Sequence, residues 1–308
     1  MSPQVPRIAV LLASYNGVRW LPDQIQSILD QDGVAPTIFV SDDGSSDGSM
    51  EWLHILARSE PRVQILPPRN GPRSVGANFI YLFTQAPIDA FDAVAFADQD
   101  DIWFKDKLAR HHVILQEREV MAVSSDVIAL WPNGEKQIIR KSQAQCEFDH
   151  LFEAPGPGCT FLMRPALIAQ LRPLLTQVIP EASEFPYHDW LVYALTRSMG
   201  FAWHIDDQPS MFYRQHAGNV LGANQGILPA WRRLRVIYRG EYKREVLDLA
   251  SMCAKAAPDQ AEHLSGLLRM LEQRGVWHNM RRAYTVRRFR RNPRDRRALG
   301  LAFVLGWW

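Results

Sequence analysis

Between residues 8 and 101, short uninterrupted apolar runs alternate with segments whose apolar residues recur at helical spacing, and this pattern constrains the fold more than any other feature. Ile8–Ser14 is followed by Leu21, Ile25, Ile28 and Leu29, which share one helix face. Thr37–Ser41 is followed by Met50, Leu53 and Leu56. Val63–Leu66 precedes a helix expected over Val75–Phe83, and Ala93–Ala97 closes the series. Strands apolar on both sides need cover on both faces, so the pattern predicts a mainly parallel sheet between helices, in a single Rossmann-like α/β domain.

Such sheets bind ligands beyond the carboxyl ends of their strands. The polar clusters fall at those ends: Ser14-Tyr15-Asn16, Asp42-Asp43 and Asp98-Gln99-Asp100-Asp101. Further on, Met121–Trp131 reads as one strand, with Pro132-Asn133-Gly134 as its turn and Lys136–Arg140 returning. Cys159–Arg164 reads as a strand, Pro165 opens a helix through Leu175, and Tyr187–Met199 reads as another helix. Phe201–Ile205 and Ser210–Tyr213 read as strands, and the pattern from Pro229 onward is helical and basic.

Charge divides the chain. Residues 1–224 hold 17 Lys/Arg and 26 Asp/Glu, a net of −9, whereas residues 225–308 hold 18 and 7, a net of +11. We therefore expect a catalytic domain over 1–224 and a helical basic extension over 225–308. The extension has nine arginines within residues 281–308 and ends in Trp307-Trp308, a combination suited to anionic lipid head groups and the interfacial zone. The alternative is a solvated basic helix whose apolar end packs on the body or on a second subunit, which leaves a homodimer open. No nucleic-acid module accompanies the arginines, so nucleic acid is not an expected partner.

The three cysteines form no CxxC, which fits a reducing compartment. Residues 1–7 lack the features of a signal peptide, and no apolar run reaches the ~20 residues that span a bilayer. The expected location is cytoplasmic, at most touching the inner face of the cell membrane.

Three carboxylates within Asp98–Asp101 raise one another's pKa unless a cation neutralises them, and hard oxygen donors suit Mg²⁺ or Mn²⁺ shared with substrate phosphates. The plain alternative is an acidic turn capping the helix that follows. No GxGxxG follows the first strand and no GxxxxGK[ST] occurs, so neither a glycine-cradled dinucleotide nor a P-loop is expected. Asp189, near the start of a helix, is either a first-turn acid or a general base that takes a proton from an acceptor hydroxyl. His188 beside it could orient a ligand, and Trp190 either stacks on a sugar or anchors the core. Arg214 offers a planar donor fork for phosphate, and His216 can complete a divalent-cation site.

In order along the chain, these segments resemble the inverting family 2 glycosyltransferases, which have a nucleotide-diphosphosugar transferase (A-type) fold, and among them the bacterial rhamnosyltransferases. The likeness spans residues 8–222. It is carried by Leu12-Ala13-Ser14-Tyr15-Asn16-Gly17, Ser41–Asp47, Asp98-Gln99-Asp100-Asp101-Ile102-Trp103, Gly156–Thr160, His188-Asp189-Trp190 and Tyr213-Arg214-Gln215-His216. The resemblance implies that Ala13 and Tyr15 line the base pocket, that Asp42 and Asp43 read base or ribose, and that Arg73 lies near the nucleotide. It further implies Asp98 at ribose and sugar, Asp100 and His216 on the metal, Arg214 at the diphosphate and Asp189 as base. The acceptor pocket would comprise Gly158, Cys159, Thr160, His188 and Trp190. His188 stands where the family usually has Glu, and the Gln-x-x-Arg-Trp signature of processive synthases is missing, which favours transfer of single sugars.

The implied donor is dTDP-L-rhamnose, and the implied acceptor is a glycan or lipid-linked glycan of a surface polysaccharide or lipopolysaccharide precursor. A UDP-hexose or UDP-N-acetylhexosamine transferase is the alternative within the class. A non-catalytic glycan-binding or membrane scaffold protein is the alternative outside it.

Overall fold

The computed structural model describes residues 4–71, 73–182, 187–216 and 238–308, and the chain divides into two compact units. The first comprises Met1–Ser142, Gly156–Asp189 and Ala202–Gly218; the second comprises Gln143–Pro155, Trp190–Phe201 and Asn219–Trp308. The boundary expected between residues 224 and 225 lies outside the described residues, as do the chain around Gly218–Gly222 and the start of the helical stretch at Pro229.

In the first unit, strands β1 (Arg7–Ser14), β2 (Ala35–Asp42), β3 (Val63–Ile65) and β4 (Ala93–Ala97) alternate with helices α1 (Leu21–Leu29), α2 (Ser49–Ser59) and α3 (Val75–Gln85), as the apolar periodicity predicts. After β5 (Ile102–Trp103) and α4 (Lys107–Glu117) come β6 (Ala122–Ser125), β7 (Val127–Leu130), β8 (Lys136–Ile139), β9 (Leu162–Met163), α5 (Pro165–Ala182) and the start of α6 (His188–Ser198), which from Trp190 onward belongs to the second unit. Strands β10 (Trp203–Asp206) and β11 (Met211–Arg214) complete the unit. Seven strands form one sheet in the order β10-β6-β9-β4-β1-β2-β3, and four form a second in the order β5-β11-β7-β8. The large sheet is parallel except at β9, which runs antiparallel to both β4 and β6. Strand β1 lies between β2 and β4, so connections leave it in both directions; this is where such sheets open a binding crevice. The core is built on Val10, Leu12, Ile38, Val40, Ala95 and Ala97 with the apolar faces of α1 and α4.

Two expectations need correction. Met121–Trp131 is not one strand: it breaks at Asp126 into β6 and β7, which belong to different sheets. The buried Asp126 carboxylate accepts from the backbone of Lys141 and Ser142 and from the Ser142 hydroxyl, while its backbone N–H bonds Asp206. These bonds turn the chain out of the first sheet. Cys159–Arg164 is not all strand either. Gly158–Thr160 forms a 3-10 turn, closed by Phe161 N–H on Gly158 O and by the Thr160 hydroxyl on Pro157 O, before β9 begins.

The second unit contains α7 (Glu241–Ala256), α8 (Ala261–Glu272), α9 (Val276–Thr285) and α10 (Pro293–Val304). Five of its C-terminal arginines are engaged within the unit. Arg291 is fully buried, pairs with Asp149 at 2.6 Å, and donates to Ala154 O. Arg288 grips both oxygens of Glu147, Arg290 approaches Glu153 and bonds the Tyr242 hydroxyl, and Arg296 donates to Arg290 O. Arg282 caps the end of α8 through the carbonyls of Met270 and Gln273. Trp308 stacks near Phe152 and donates to Leu271 O. These five arginines follow the packed alternative for the tail: Glu147, Asp149 and Glu153 bind three of them, and backbone carbonyls hold Arg282 and Arg296. Among the described residues, no helix is long and apolar enough to cross a membrane.

Removing one partner of a buried ion pair strands the other charge, at a cost of about 3–5 kcal/mol. Arg291→Ala should lower the unfolding free energy by that amount in urea titrations, whereas Arg294→Ala, on the surface, should change it by less than ~0.5 kcal/mol. Equal losses in the two variants would contradict the assignment of Arg291 as a structural residue.

Candidate active site

The carboxyl ends of β1, β2 and β4 meet in register, Ala13 beside Ser41, Ser14 beside Asp42 and Leu12 beside Ala97. The turn after β1 is fastened to the turn after β4 by Gln99. Its amide oxygen accepts from Tyr15 N–H and its amide nitrogen donates to Tyr15 O, both at 2.9 Å. A Cβ on Gly17 would lie 2.1 Å from that oxygen, so a side chain there would displace the Gln99 amide from Tyr15. The sequence assigns Gln99 no role; its amide imitates a strand partner for Tyr15, which no local pattern announces.

The second turn is largely self-consuming. Asp42 accepts from the Gly44 and Ser45 N–H groups and from the Ser45 hydroxyl, so its carboxylate shapes the turn. Asp43 pairs with Arg69 at 2.6 Å and accepts from Ser74 N–H, which ties β2 to the start of α3. Arg69 was missed in the sequence, where Arg73 in the same loop drew attention. Arg73 is exposed and lies 5.7 Å from the centroid of the half-exposed Tyr15 ring, so these two expected nucleotide-side residues do come together.

The third turn sorts its acids by depth. Asp101 is wholly buried with no hydrogen-bond donor in normal geometry, and its carboxyl is pushed well above the usual range by burial and by Asp100 and Asp98. Lys107, also wholly buried, donates to Cys159 O at 2.5 Å and lies 3.2 Å from the centroid of the Trp103 ring; burial holds its pKa well below normal. Asp98, Asp101 and Cys159 each offer an atom within 4.8 Å of the others. Burial pushes the Cys159 thiol well above its ordinary value, so it remains a protonated S–H at neutral pH. A protonated thiol beside a shielded carboxyl is a poor donor set for Mg²⁺ or Mn²⁺. Asp98 and Asp100 are only partly buried, and burial followed by the Asp100 charge lifts the Asp98 carboxyl to about 7.

Asp100 meets the segment that follows β11. His216 Nε2 lies 2.7 Å from its Oδ2, and the imidazole stacks on Trp20 at 5.1 Å with an interplanar angle of 12°. Arg214 lies 5.0 Å from the centroid of the same indole and bonds Asp23 at 2.6 Å; burial raises the Asp100 pKa, with His216 and, less, Arg214 pulling against it. Trp20 is thus a shared platform for His216 and Arg214. The sequence offered no signal for it beyond its place after the first strand.

At the start of α6, Asp189 is partly exposed and its charge adds to the upward pressure on Asp98. His188 is buried, stacked on Phe79 at 3.8 Å, and held neutral, its pKa lowered to about 3 by burial. A Cβ on Gly158 would lie 2.6 Å from His188 Nε2 and 3.2 Å from Asp189 Cβ. Gly158 therefore lets the 3-10 turn close on this helix start. The expected acceptor residues Cys159 and Thr160 are wholly buried and face the protein interior. Trp190 is buried in the second unit, its indole N–H donating to His150 O, so it acts as a core anchor. An acceptor role for these three side chains has no exposed surface behind it.

The Rossmann-like α/β unit, with acidic turns at the carboxyl ends of its parallel strands, agrees with the A-type fold that the family resemblance implies. The family model described as "Glycosyl transferase family 2" matches residues 9–160. A curated relative from Shigella flexneri, "dTDP-rhamnosyl transferase RfbG", is 35% identical over 244 residues, covering 79% of this chain and 84% of its own length. The chain belongs to glycosyl transferase family 2. Among solved structures, TarS of S. aureus in complex with UDP-GlcNAc superimposes with a TM-score of 0.51 at 14% identity, covering 97% of this chain and 92% of that one. The mannosyltransferase PcManGT from Pyrobaculum calidifontis, in complex with GDP-Man and Mn2+, superimposes with a TM-score of 0.51 at 16% identity, covering 99% and 86%. These likenesses show the fold.

The neutral imidazole of His188 links stability to pH. Its folded pKa of about 3 lies below its ordinary 6.5, so below pH 6.5 the unfolded chain binds the extra proton and stability falls until pH reaches the folded value. His188→Leu should reduce the slope of unfolding free energy against pH by up to ~1.4 kcal/mol per pH unit in that window. An unchanged slope in urea titrations across that range would contradict the burial of a neutral imidazole.

Proposed function

We propose that this glycosyltransferase is a metal-dependent inverting rhamnosyltransferase, moving L-rhamnose from dTDP-L-rhamnose to a hydroxyl of a surface polysaccharide or lipopolysaccharide precursor. The observation that carries the reading is the 2.7 Å contact between Asp100 and His216 at the edge of the strand-end crevice, with Arg214 and Asp98 beside it. Support for the donor comes from the relative named as a dTDP-rhamnosyl transferase, of which this chain covers most of the length.

Asp98, Asp100 and His216 are the residues that would hold Mg²⁺ or Mn²⁺, since they are partly exposed and offer carboxylate oxygens with one imidazole nitrogen. The cation would neutralise the diphosphate and the charge that develops on it. Arg214, steadied by Asp23 and Trp20, supplies a fixed cationic fork to the same leaving group. The pairing of Tyr15 with Arg73 offers a ring and a cation to the nucleotide. Asp189 takes the proton of the acceptor hydroxyl as its oxygen forms a bond to the anomeric carbon. The bond from that carbon to the diphosphate oxygen breaks on the opposite face, and dTDP leaves with its electron pair. A β-L-rhamnosyl donor thus yields an α-L-rhamnoside.

Asp189→Asn keeps size and hydrogen bonding but loses basicity, so transfer should slow by ~10²–10⁴-fold with donor affinity nearly unchanged. Transfer within a few-fold of the parent protein would exclude Asp189 as the base. Asp100→Ala should remove the gain in dTDP affinity that Mn²⁺ gives in calorimetry, with the folding midpoint preserved. Retention of that gain would contradict Asp100 as a metal ligand.

A further inference from the structure

Helix α9 is built the wrong way round for a helix of a water-soluble surface. Its buried residue is Arg282, whose guanidinium binds the carbonyls that end α8 and the Asn279 side chain. The opposite face carries Val276, Trp277, Met280 and Tyr284, which are 75%, 87%, 50% and 90% exposed. At 100° per residue these four positions fall within one broad stripe centred opposite Arg282. The helix is anchored by a polar bond network, and its apolar residues are left facing outward. Two large aromatics, both exposed and both on one face, form a patch of a kind that marks an interaction surface.

The charge around that stripe identifies its occupant. Arg281 on the edge of the stripe and Arg274 and Arg287 at the two ends of α9 are exposed, and among the described residues none of them forms an ion pair. They differ from Arg288, Arg290 and Arg291, whose charges are met by Glu147, Asp149 and Glu153. A protein partner would need acids interleaved with apolar pockets, whereas an anionic bilayer offers phosphates at the level of the arginines and acyl chains beneath them. Trp and Tyr favour that boundary, since each has an apolar ring and a polar tip.

We propose that α9 is a membrane-interface helix that seats Trp277, Met280 and Tyr284 in an anionic leaflet, with Arg274, Arg281 and Arg287 on the lipid phosphates. This surface is distinct from the terminal Trp307-Trp308 segment, where Trp308 packs on Phe152 and Phe303 inside the unit. It holds the enzyme at a lipid surface and contributes nothing to donor binding.

The test is flotation of the full chain with vesicles of phosphatidylcholine containing phosphatidylglycerol, beside pure phosphatidylcholine vesicles. The parent protein should float with the anionic vesicles and be released by salt. The variant Trp277→Ser/Tyr284→Ser should bind them at least ~10-fold more weakly, and Arg281→Gln/Arg287→Gln should lose most of the salt-sensitive part. All four positions are exposed, so unchanged urea midpoints and unchanged hydrolysis of the nucleotide-sugar donor should accompany the loss. Vesicle binding unaffected by the aromatic substitutions would overturn the proposal. So would absence of vesicle binding together with a dimer in light scattering that Trp277→Ser/Tyr284→Ser abolishes, since the occupant would then be a second copy of this chain. Because flotation needs no turnover, its outcome is independent of the identity of the sugar donor.

Discussion

Two hydrogen bonds between the Gln99 amide and the backbone of Tyr15 hold the candidate site together. They join the turn that ends β1 to the turn that ends β4, at the point where the chain leaves the sheet in opposite directions. With that junction fixed, Asp98 and Asp100 emerge at a set distance from Tyr15 and its neighbour Arg73. A side chain at position 17 would push the Gln99 amide out of this junction. An amide suits this task because it donates and accepts at once, as a strand neighbour would, without adding charge to a turn that already carries three acids.

Behind this junction the acidic turn is supported from the interior. Asp101, Lys107 and Cys159 are buried side by side, where desolvation favours the neutral form of each. Lys107 holds the Gly158–Thr160 turn through Cys159 O, and that turn in turn meets the start of α6 at Gly158. The acids therefore divide by depth: Asp101 is wholly buried, while Asp98 and Asp100 are partly exposed. Outward of them, Trp20 carries His216 and Arg214 on one ring, so the two side chains proposed to meet the cation and the diphosphate share a common platform.

Much of this was legible in the sequence because it depends on local pattern. The parallel core follows from apolar runs such as Ile8–Ser14 and Ala93–Ala97, and the position of the acids follows from their place at strand ends. What was not legible depends on contacts between distant segments. Gln99 and Tyr15 are 84 residues apart, and Lys107 and Cys159 are 52 apart. Arg69 rather than Arg73 pairs with Asp43 because only the fold decides which arginine of the loop turns inward. The sequence left two readings of the basic tail open for a similar reason: Arg288, Arg290 and Arg291 are met by Glu147, Asp149 and Glu153, acids from a segment more than a hundred residues earlier. Charge summed along a chain does not reveal which charges cancel in space.

The account turns on a cation-assisted donor site formed by the Gln99-fastened turns, and a donor panel tests it most directly. Purified protein would be titrated by calorimetry with dTDP-L-rhamnose, UDP-GlcNAc, UDP-glucose and GDP-mannose, each with Mn²⁺ and with excess chelator. The account predicts dTDP-L-rhamnose as the tightest ligand, with affinity that falls at least ~10-fold when the cation is removed. Equal affinity with and without the cation, or preference for another nucleotide sugar, would contradict it.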